Sequence, residues 1–502
     1  MNGPGITEDS ALCRALSGEA GRAFARDVLP GYLPAQRWFG AKEARIGDVD
    51  LTSFCAMDEG DAALCIADVA LPGGAQRYFL PLTARTDDAA RHRIGRLPDG
   101  PALFDGAADM TLARGLLQAM RDGQTVMGPQ GGVRFEGEGI PPAAQMDTPT
   151  PLAAEQSNVS IAFGRQVVLK VYRRLRAGPQ PDVEVSRHLT RAARFAHAPA
   201  WLGSATLEPK DGEATTLAAA FAYAPNRGDA WSHFTSRLDA VVARRAGPAD
   251  LAEDAALCRL LGQRTGGLHR ALAAETADHA FAPVPVTRAD LAAWTAEALA
   301  DIDDALGMIA PVARTPGALA AVAGDVMARG PVLKARIERV ASAAPSGLRT
   351  RIHGDYHLGQ VLVTPDDDFA IIDFEGEPRR DLAARRAKMS PLRDVAGMLR
   401  SIDYAARSAV LRAAQSGADP ADAAARADDW HAAASRAFMA GYRDEMAGCA
   451  AAPEAALETA LLELFLLQKA VYEVSYELSN RPDWAVVPMA GVLKLADAMS
   501  AP

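Results

Sequence analysis

The sequence predicts an α+β protein in two lobes. Strand-like runs rich in β-branched and aromatic residues cluster before residue 225. Helical periodicity dominates from about residue 230 to the end, with one clear exception at 360–375. Strands first and helices afterwards is the order of segregated layers, not of an alternating parallel sheet. A chain of 502 residues, 49% apolar and 23% charged, has room for roughly two to four domains or subdomains. It can bury roughly three quarters of its unfolded surface, so it needs no disulfide or structural metal to fold.

Residues 1–115 read as mixed, with helical stretches alternating with strand-like runs such as AALCIADVAL and QRYFLPLTA. Pro- and Gly-rich breaks at 97–105 and 128–151 read as subdomain boundaries or surface loops. Residues 157–172 turn at Gly164-Arg165 between two β-rich runs, a hairpin signal. A helical stretch over 183–197 and a strand-like run ending at Pro225 follow. The expected divisions are 1–115, 116–225 and 226–502, the last mainly helical.

The net charge of −10 argues against non-specific nucleic-acid binding, which needs basic surface. An anionic substrate would have to be met by a local cationic cluster. Five widely spaced cysteines with no CxxC pair indicate neither a zinc ribbon nor a disulfide framework. The N-terminus lacks the apolar core of a signal peptide. The apolar stretch ETALLELFLLQKAVYEV, broken by Glu463 and Lys469, is too short and too charged to span a bilayer. A cytoplasmic protein is the expectation. There is no Walker A loop, GxGxxG, HExxH or GxSxG.

The densest polar cluster in an apolar setting is RIHGDYHLGQVLVTPDDDFAIIDFEGE at 351–377. Val361 to Val363 and Phe369 to Asp373 read as strands around a Thr364–Asp368 turn. In such a hairpin, Gln360 entering and Asp373 leaving lie at the same end, beside the loop holding Asp355. Clustered hard oxygen donors suit Mg²⁺. Asp-x4-amide, an apolar hairpin and a second Asp form the layout of kinase-type phosphoryl transfer. Asp355 would be the base, with Gln360 and Asp373, joined by Glu375, holding metal. Taken singly, the HGD could be a loop hydrogen bond and the IIDFE a strand end. It is their spacing that joins them. His353 and His357 read as structural.

Only seven of the 53 basic residues are lysine. Lys170, in the strand-like VVLKVY, would need an anionic partner if it points inward. Glu184 is the expected carboxylate, and Lys170 the grip on ATP phosphates. Ser157, Asn158 and Ser160 in the preceding turn would offer further donors. A solvent-facing strand lysine is the plain alternative.

At these residues the sequence resembles the maltokinases, relatives of the aminoglycoside-phosphotransferase group of eukaryotic-like kinases. The matching segments are RWFGAK (37–42), 156–185, FAYAPNRGDAW (221–231), HGDYHLGQVL (353–362), IIDFEGEP (371–378), 390–406 and YEVSYELSNRPDW (472–484). The resemblance implies a bilobal protein-kinase-like fold with an N-terminal cap subdomain over 1–115 and a nucleotide-binding lobe over 116–225. It implies ATP and Mg²⁺ as cofactors, with Asn226 and Asp229 at the hinge and ribose side. It also implies phosphorylation of maltose at the anomeric hydroxyl for α-glucan synthesis. Some relatives are fused to a trehalose synthase, so this chain is either free-standing or excised from such a fusion. Close relatives act on glucosamine, and the core motifs do not separate the acceptors. A non-catalytic pseudokinase that regulates a trehalose or glucan enzyme is a rival function, as is a metal-dependent phosphohydrolase.

For the sugar acceptor, Tyr472, Tyr476 and Asn480 recur on one helical face, with Glu473 and Glu477 beside them and Arg481 and Trp484 beyond. The plain reading is a tyrosine stripe packed into the core. Arg393 and Asp394 are a second candidate pair, unless Asp394 only caps a helix. The run Arg379, Arg380, Arg385, Arg386 and Lys388 reads as a solvated basic loop. Arg37, Trp38 and Phe39 read as packing against the nucleotide-binding lobe.

Overall fold

The strand-like runs of the first half pair into two antiparallel sheets. They are seen in a computed structural model that describes residues 6–7, 10–57, 62–85, 92–128, 131–152 and 158–500. The chain divides into two compact units: Met1–Arg187 with Pro199–Ala224, and His188–Ala198 with Pro225–Pro502.

In the first unit, one sheet runs in the order Ile6–Thr7, Val49–Met57, Ala62–Val69, Leu82–Arg85, Ala102–Asp105, Arg93–Arg96. Gln76–Phe79 pairs off this path and is joined by Arg174–Leu175. The second sheet runs Pro149–Pro151, Asn158–Phe163, Val167–Tyr172, Thr215–Ala222, Trp201–Pro209, Gly131–Gly137, Thr125–Gly128. The helix Met110–Asp122, capped by Asp109 and ended by left-handed Gly123, lays Leu112, Leu116, Leu117 and Met120 onto the core of the second sheet.

Two of the expected breaks carry strands. The Pro98–Gly100 turn inside 97–105 joins Arg93–Arg96 to Ala102–Asp105, and Gly131–Gly137 inside 128–151 pairs with Trp201–Pro209. Local glycine content reads as loop; pairing with a strand some seventy residues away overrides it.

Trp38 and Phe39 are buried, as expected of packing residues. The fully buried Arg173 lies over the Trp38 ring at 4.1 Å and binds Asp105 through two bonds of 2.7 and 2.8 Å. The Tyr32 hydroxyl donates to Asp105 at 2.9 Å. RWFGAK thus closes over a buried ion pair at the continuation of the Lys170 strand. Arg37 is exposed.

The second unit is mainly helical. Its long helices include Pro248–Leu272, Arg288–Arg314, Leu392–Gln415, Pro420–Met446 and Ala455–Asn480. Glycine lets two of them touch. A Cβ on Gly262 would meet the Phe438 carbonyl at 2.0 Å, and one on Gly441 would meet the Arg259 carbonyl at 2.0 Å. Any larger residue would force Pro248–Leu272 and Pro420–Met446 apart. Among the described residues no helix is long and apolar enough to cross a membrane.

Candidate active site

The hairpin forms as the sequence indicates. Val361–Val363 pairs with Phe369–Ile371 in the register Val361↔Ile371 and Val363↔Phe369. One residue beyond it, the Gln360 side-chain amide donates to Asp373 Oδ2 at 3.0 Å, and the Ile372 N–H donates to the Gln360 carbonyl at 3.0 Å. The contact brings the Gln360 amide and the Asp373 carboxylate together, a source of the hard oxygen donors that Mg²⁺ takes. Asp373 adopts φ +67°, a left-handed conformation uncommon for a non-glycine residue, as strained residues at functional sites often do. Glu375 follows, half-buried.

One imidazole joins the two arms. His353 Nδ1 accepts the Asp355 N–H at 3.4 Å, so its Nε2 donates to the Ile372 carbonyl at 2.9 Å, one residue before Asp373. His357 Nδ1 accepts the Gly359 N–H at 3.0 Å, and burial holds this ring below its ordinary pKa. Both histidines are structural, as the sequence suggested. The Asp355 carboxylate stays half-exposed, with Lys469 Nζ 3.5 Å from its Oδ1.

Asp394 is not the helix cap: Pro391 holds that position for Leu392–Gln415. Its carboxylate is engaged by the loop backbone and by a histidine. Oδ2 accepts the His353 N–H at 2.7 Å and faces His269 Nε2 at 3.1 Å, while Oδ1 accepts the Gly354 N–H at 2.9 Å. It positions the loop that carries Asp355. Gly354 itself sits at φ +84°.

A cavity of about 250 Å³ opens at Asp355, lined also by Asp301, Glu377, Arg393, Lys469 and Tyr472. Burial alone would lower the Lys469 pKa, but Asp355, Glu473 and Glu377 hold its ammonium above the ordinary value. Asp301 accepts the Gln468 amide at 2.7 Å and forms no ion pair among the described residues. Burial, with Glu297 beside it, holds the Asp301 carboxyl above its ordinary pKa despite Gln468, Arg380 and Arg393.

Of the acceptor candidates, Arg393, Asp394 and Tyr472 line this cavity. The carboxylates of Glu473 and Glu477 are instead tied to other side chains. Glu473 pairs with buried Arg400 at 2.6 Å; Glu477 pairs with Arg481 at 2.6 Å and accepts the Tyr404 hydroxyl at 2.8 Å. Asn480 donates to the Tyr476 carbonyl of its own helix at 2.8 Å, and Trp484 lies under Arg481 at 5.4 Å. Tyr476 is exposed, its ring 5.5 Å from the Arg379 guanidinium, which also covers Tyr472 at 5.2 Å. The basic run is therefore not simply a solvated loop. Arg379 and Arg380 line the cavity, and Arg380 is tied to Glu377 at 3.0 Å and to Glu297.

Sequence reasoning missed Asp301, Gln468 and the role of Lys469. The signal was one helical turn upstream. Gln468, Lys469 and Tyr472 share a face at i, i+1 and i+4, and the first two are polar in an otherwise apolar run.

In the first unit, Lys170 lies on Val167–Tyr172 opposite Ser160 and Ala219 and is buried, not solvent-facing. A carboxylate 3.1 Å from its Nζ is that of Asp182, on the same helix as the expected Glu184; Asp182 also accepts the Tyr172 hydroxyl at 3.0 Å. The helix begins at Pro181, two residues before periodicity suggested, so Asp182 occupies its first turn. Glu184 is on the same helix, half-buried. Asn158 and Ser160 are buried on the neighbouring strand, and Ser157 lies outside the described residues.

In the second unit, Asn226 Oδ1 accepts the Gly228 N–H at 3.1 Å. Asp229 Oδ1 accepts the Ser232 N–H at 2.7 Å and caps Ala230–Val242. The expected hinge segment docks on the hairpin edge, with Arg227 N–H to the Val363 carbonyl at 2.8 Å.

A model of the phosphotransferase enzyme family matches residues 148–430, more than half the chain. The chain belongs to the phosphotransferase enzyme family. A model of the maltokinase N-terminal cap domain matches residues 32–109 of this phosphotransferase. It is 30% identical to the glucosamine kinase of Streptacidiphilus jiangxiensis over 442 residues, 84% of this chain and 91% of that protein. It is 27% identical to the glucosamine kinase of Mycolicibacterium smegmatis (strain ATCC 700084 / mc(2)155) over 354 residues, 69% and 79% of the two. A solved glucosamine kinase in complex with glucosamine, ADP and inorganic phosphate shares the fold, with TM-score 0.64 and 24% identity over 90% of this chain and 93% of that one. The fold is thus the phosphotransferase type of kinase fold, with an N-terminal cap and a mainly helical C-terminal region. The cap matches the maltokinase resemblance, but these full-length relatives carry the name glucosamine kinase.

Proposed function

We propose that the protein is an ATP-dependent kinase of a small sugar, with glucosamine as the acceptor. The observation that carries the acceptor is Asp301: a half-buried carboxylate in the cavity beside Asp355, bonded to the Gln468 amide but, among the described residues, to no cation. An ammonium group would satisfy it; a hydroxyl would do so less well. The volume of about 250 Å³ lies below the range of drug-sized pockets, a fit for one sugar ring better than two. The relatives' names point the same way.

In this reading Asp355 takes the proton of the acceptor hydroxyl, and Lys469 holds that carboxylate in place. Lys170, oriented by Asp182, grips the ATP phosphates. Asp373 and Gln360 hold Mg²⁺, which when bound neutralises charge on the transferring phosphate. Arg393 and Tyr472 line the acceptor's side.

Asp301→Asn should lower kcat/KM for glucosamine about 10–100-fold, as expected for losing a hydrogen bond to a charged group, and leave the value for glucose nearly unchanged. An equal loss for both sugars would remove the ammonium contact. A second reading, maltose, rests on the maltokinase-type cap. Incubation with ATP, Mg²⁺ and either sugar, followed by NMR, separates the two: coupling of a sugar proton to phosphorus identifies both acceptor and position. Phosphate transfer to maltose in preference to glucosamine would overturn the first reading.

The lysine grip has its own test. Asp182→Ala should raise KM for ATP on the order of tenfold or more, the value of one charge-assisted bond. Glu184→Ala should have a much smaller effect. The reverse order would return the orienting role to Glu184.

A further inference from the structure

The aromatic stripe of Ala455–Asn480 carries cations. Phe465, Tyr472 and Tyr476 lie at i, i+7 and i+11 of that helix and share a face. The Arg393 guanidinium lies over the Phe465 ring at 5.9 Å, and that of Arg379 over Tyr472 and Tyr476 at 5.2 and 5.5 Å. A guanidinium held by ring faces spends none of its N–H donors on the contact. Both arginines line the cavity at Asp355. Arg379 is exposed and pairs with no carboxylate among the described residues. Arg393 Nη1 is buried and has no hydrogen-bond partner among the described residues. Two carboxylates face this arginine, Glu297 at 3.7 Å and Glu377 at 3.9 Å, both beyond hydrogen-bond reach. They are bonded elsewhere. Glu377 accepts from Arg380 at 3.0 Å, and Glu297 accepts from Arg380 and, at 3.1 Å, from the Gln468 amide. A buried guanidinium donor without an acceptor is costly unless a ligand supplies one.

We infer that Arg379 and Arg393 recognise the ring hydroxyls of the acceptor, meeting sugar oxygens with the N–H groups that their aromatic contacts leave unspent. This rests on the reading of the cavity as the acceptor site for a sugar. The charge of the lining favours neutral oxygens over an anion: among its described residues, four Arg and Lys cations stand with four Asp and Glu carboxylates. The planar fork of a guanidinium spans two neighbouring oxygens, as adjacent hydroxyls of a sugar ring present them. The arginines then select for ring hydroxyls, and Asp301 for the amine. The two contributions are separable, because hydroxyls are common to glucosamine and glucose and the ammonium is not.

Steady-state kinetics and calorimetry on the full chain test this with glucosamine, glucose and singly deoxygenated forms of glucosamine. Arg379→Met keeps an apolar stem on the rings and removes the donors. Arg393→Lys keeps the charge facing Glu297 and Glu377 and removes the fork. Each should raise KM for glucosamine and for glucose alike, about tenfold or more, with kcat and KM for ATP within about threefold. That split marks contacts made equally in the ground and transition states. Deoxygenation supplies a readout that a packing role would not move. At least one deoxy form should bind the parent about tenfold more weakly than glucosamine. In the variant that has lost the matching donor, that form and glucosamine should bind equally. Should Arg393→Lys melt early, the exposed position alone decides, through Arg379→Met. Equal penalties for every deoxy form in parent and variants overturn the assignment. So does a fall in kcat with KM unchanged, which would place the arginines on the transferring phosphate. A parent that phosphorylates neither sugar overturns the sugar-kinase reading and this inference with it. A parent that phosphorylates one, with the variants unchanged, overturns the arginine role alone.

Discussion

Asp355→Asn is expected to lower kcat by about 10²–10⁴-fold, the usual contribution of a positioned general base, while calorimetric affinity for ATP stays within about twofold. The substitution is nearly isosteric. The amide oxygen still accepts from Lys469, now 3.5 Å from Asp355 Oδ1, and the backbone N–H still reaches His353 Nδ1. In the proposed role, what is removed is the ability to take the acceptor proton. The effect should therefore fall on kcat and kcat/KM together, the mark of an interaction made in the transition state. Lys469→Met is the companion measurement. It leaves the base in place without its cation, so its loss should be smaller, and the double variant should be no worse than Asp355→Asn alone, because the two act as one unit. A near-normal kcat in Asp355→Asn would refute the base assignment, and a double variant far below either single one would separate the two roles.

The parts of this site that could be read in the sequence are those fixed by short-range geometry. A three-residue strand, a Thr-Pro-Asp turn and a return strand place Gln360 and Asp373 together whatever surrounds them, and the 3.0 Å contact follows. The inward Lys170 was legible for a similar reason, since a lysine amid apolar strand residues needs a carboxylate. That Asp182 also lies beside it was not legible. It depends on a helix start at Pro181 and on the direction its first turn faces, and boundaries shift by a residue or two without changing the periodic pattern. The acceptor side was the least legible. Glu473 and Glu477 resemble a sugar-binding stripe, yet Arg400 and Tyr404, at i and i+4 of another helix, meet them. Asp301 and Gln468 are 167 residues apart in the chain. No local pattern reports such pairings; they are set by how the long helices cross.

Asp394→Ala is expected to cost about 3–5 kcal/mol, the range for breaking a buried charged network by removing one partner, and to lower the melting temperature by on the order of 10 °C. The carboxylate is buried and accepts from two backbone N–H groups, with His269 as a third partner that is itself fixed by the Tyr442 hydroxyl at 3.1 Å. Alanine leaves two buried donors with no acceptor. Activity should fall as well, because His353 and Gly354 lose the clamp that places Asp355. Asp394→Asn is the informative milder change: its oxygen can keep one N–H, but its amide hydrogens oppose the other. The pH dependence separates this role from simple packing. Burial alone would raise the Asp394 carboxyl, but the His269 bond, the nearby His269 and His353 and the Gly354 N–H outweigh it and hold the pKa below the ordinary value. A carboxyl depressed in the folded state stabilises above its unfolded pKa of about 4, and that stabilisation is lost as pH falls through the folded value. The parent should therefore lose stability on the acid side of about pH 4 more steeply than Asp394→Asn, whose neutral amide cannot titrate. Parallel acid limbs in the two proteins would show that the charge of Asp394 does not hold the loop.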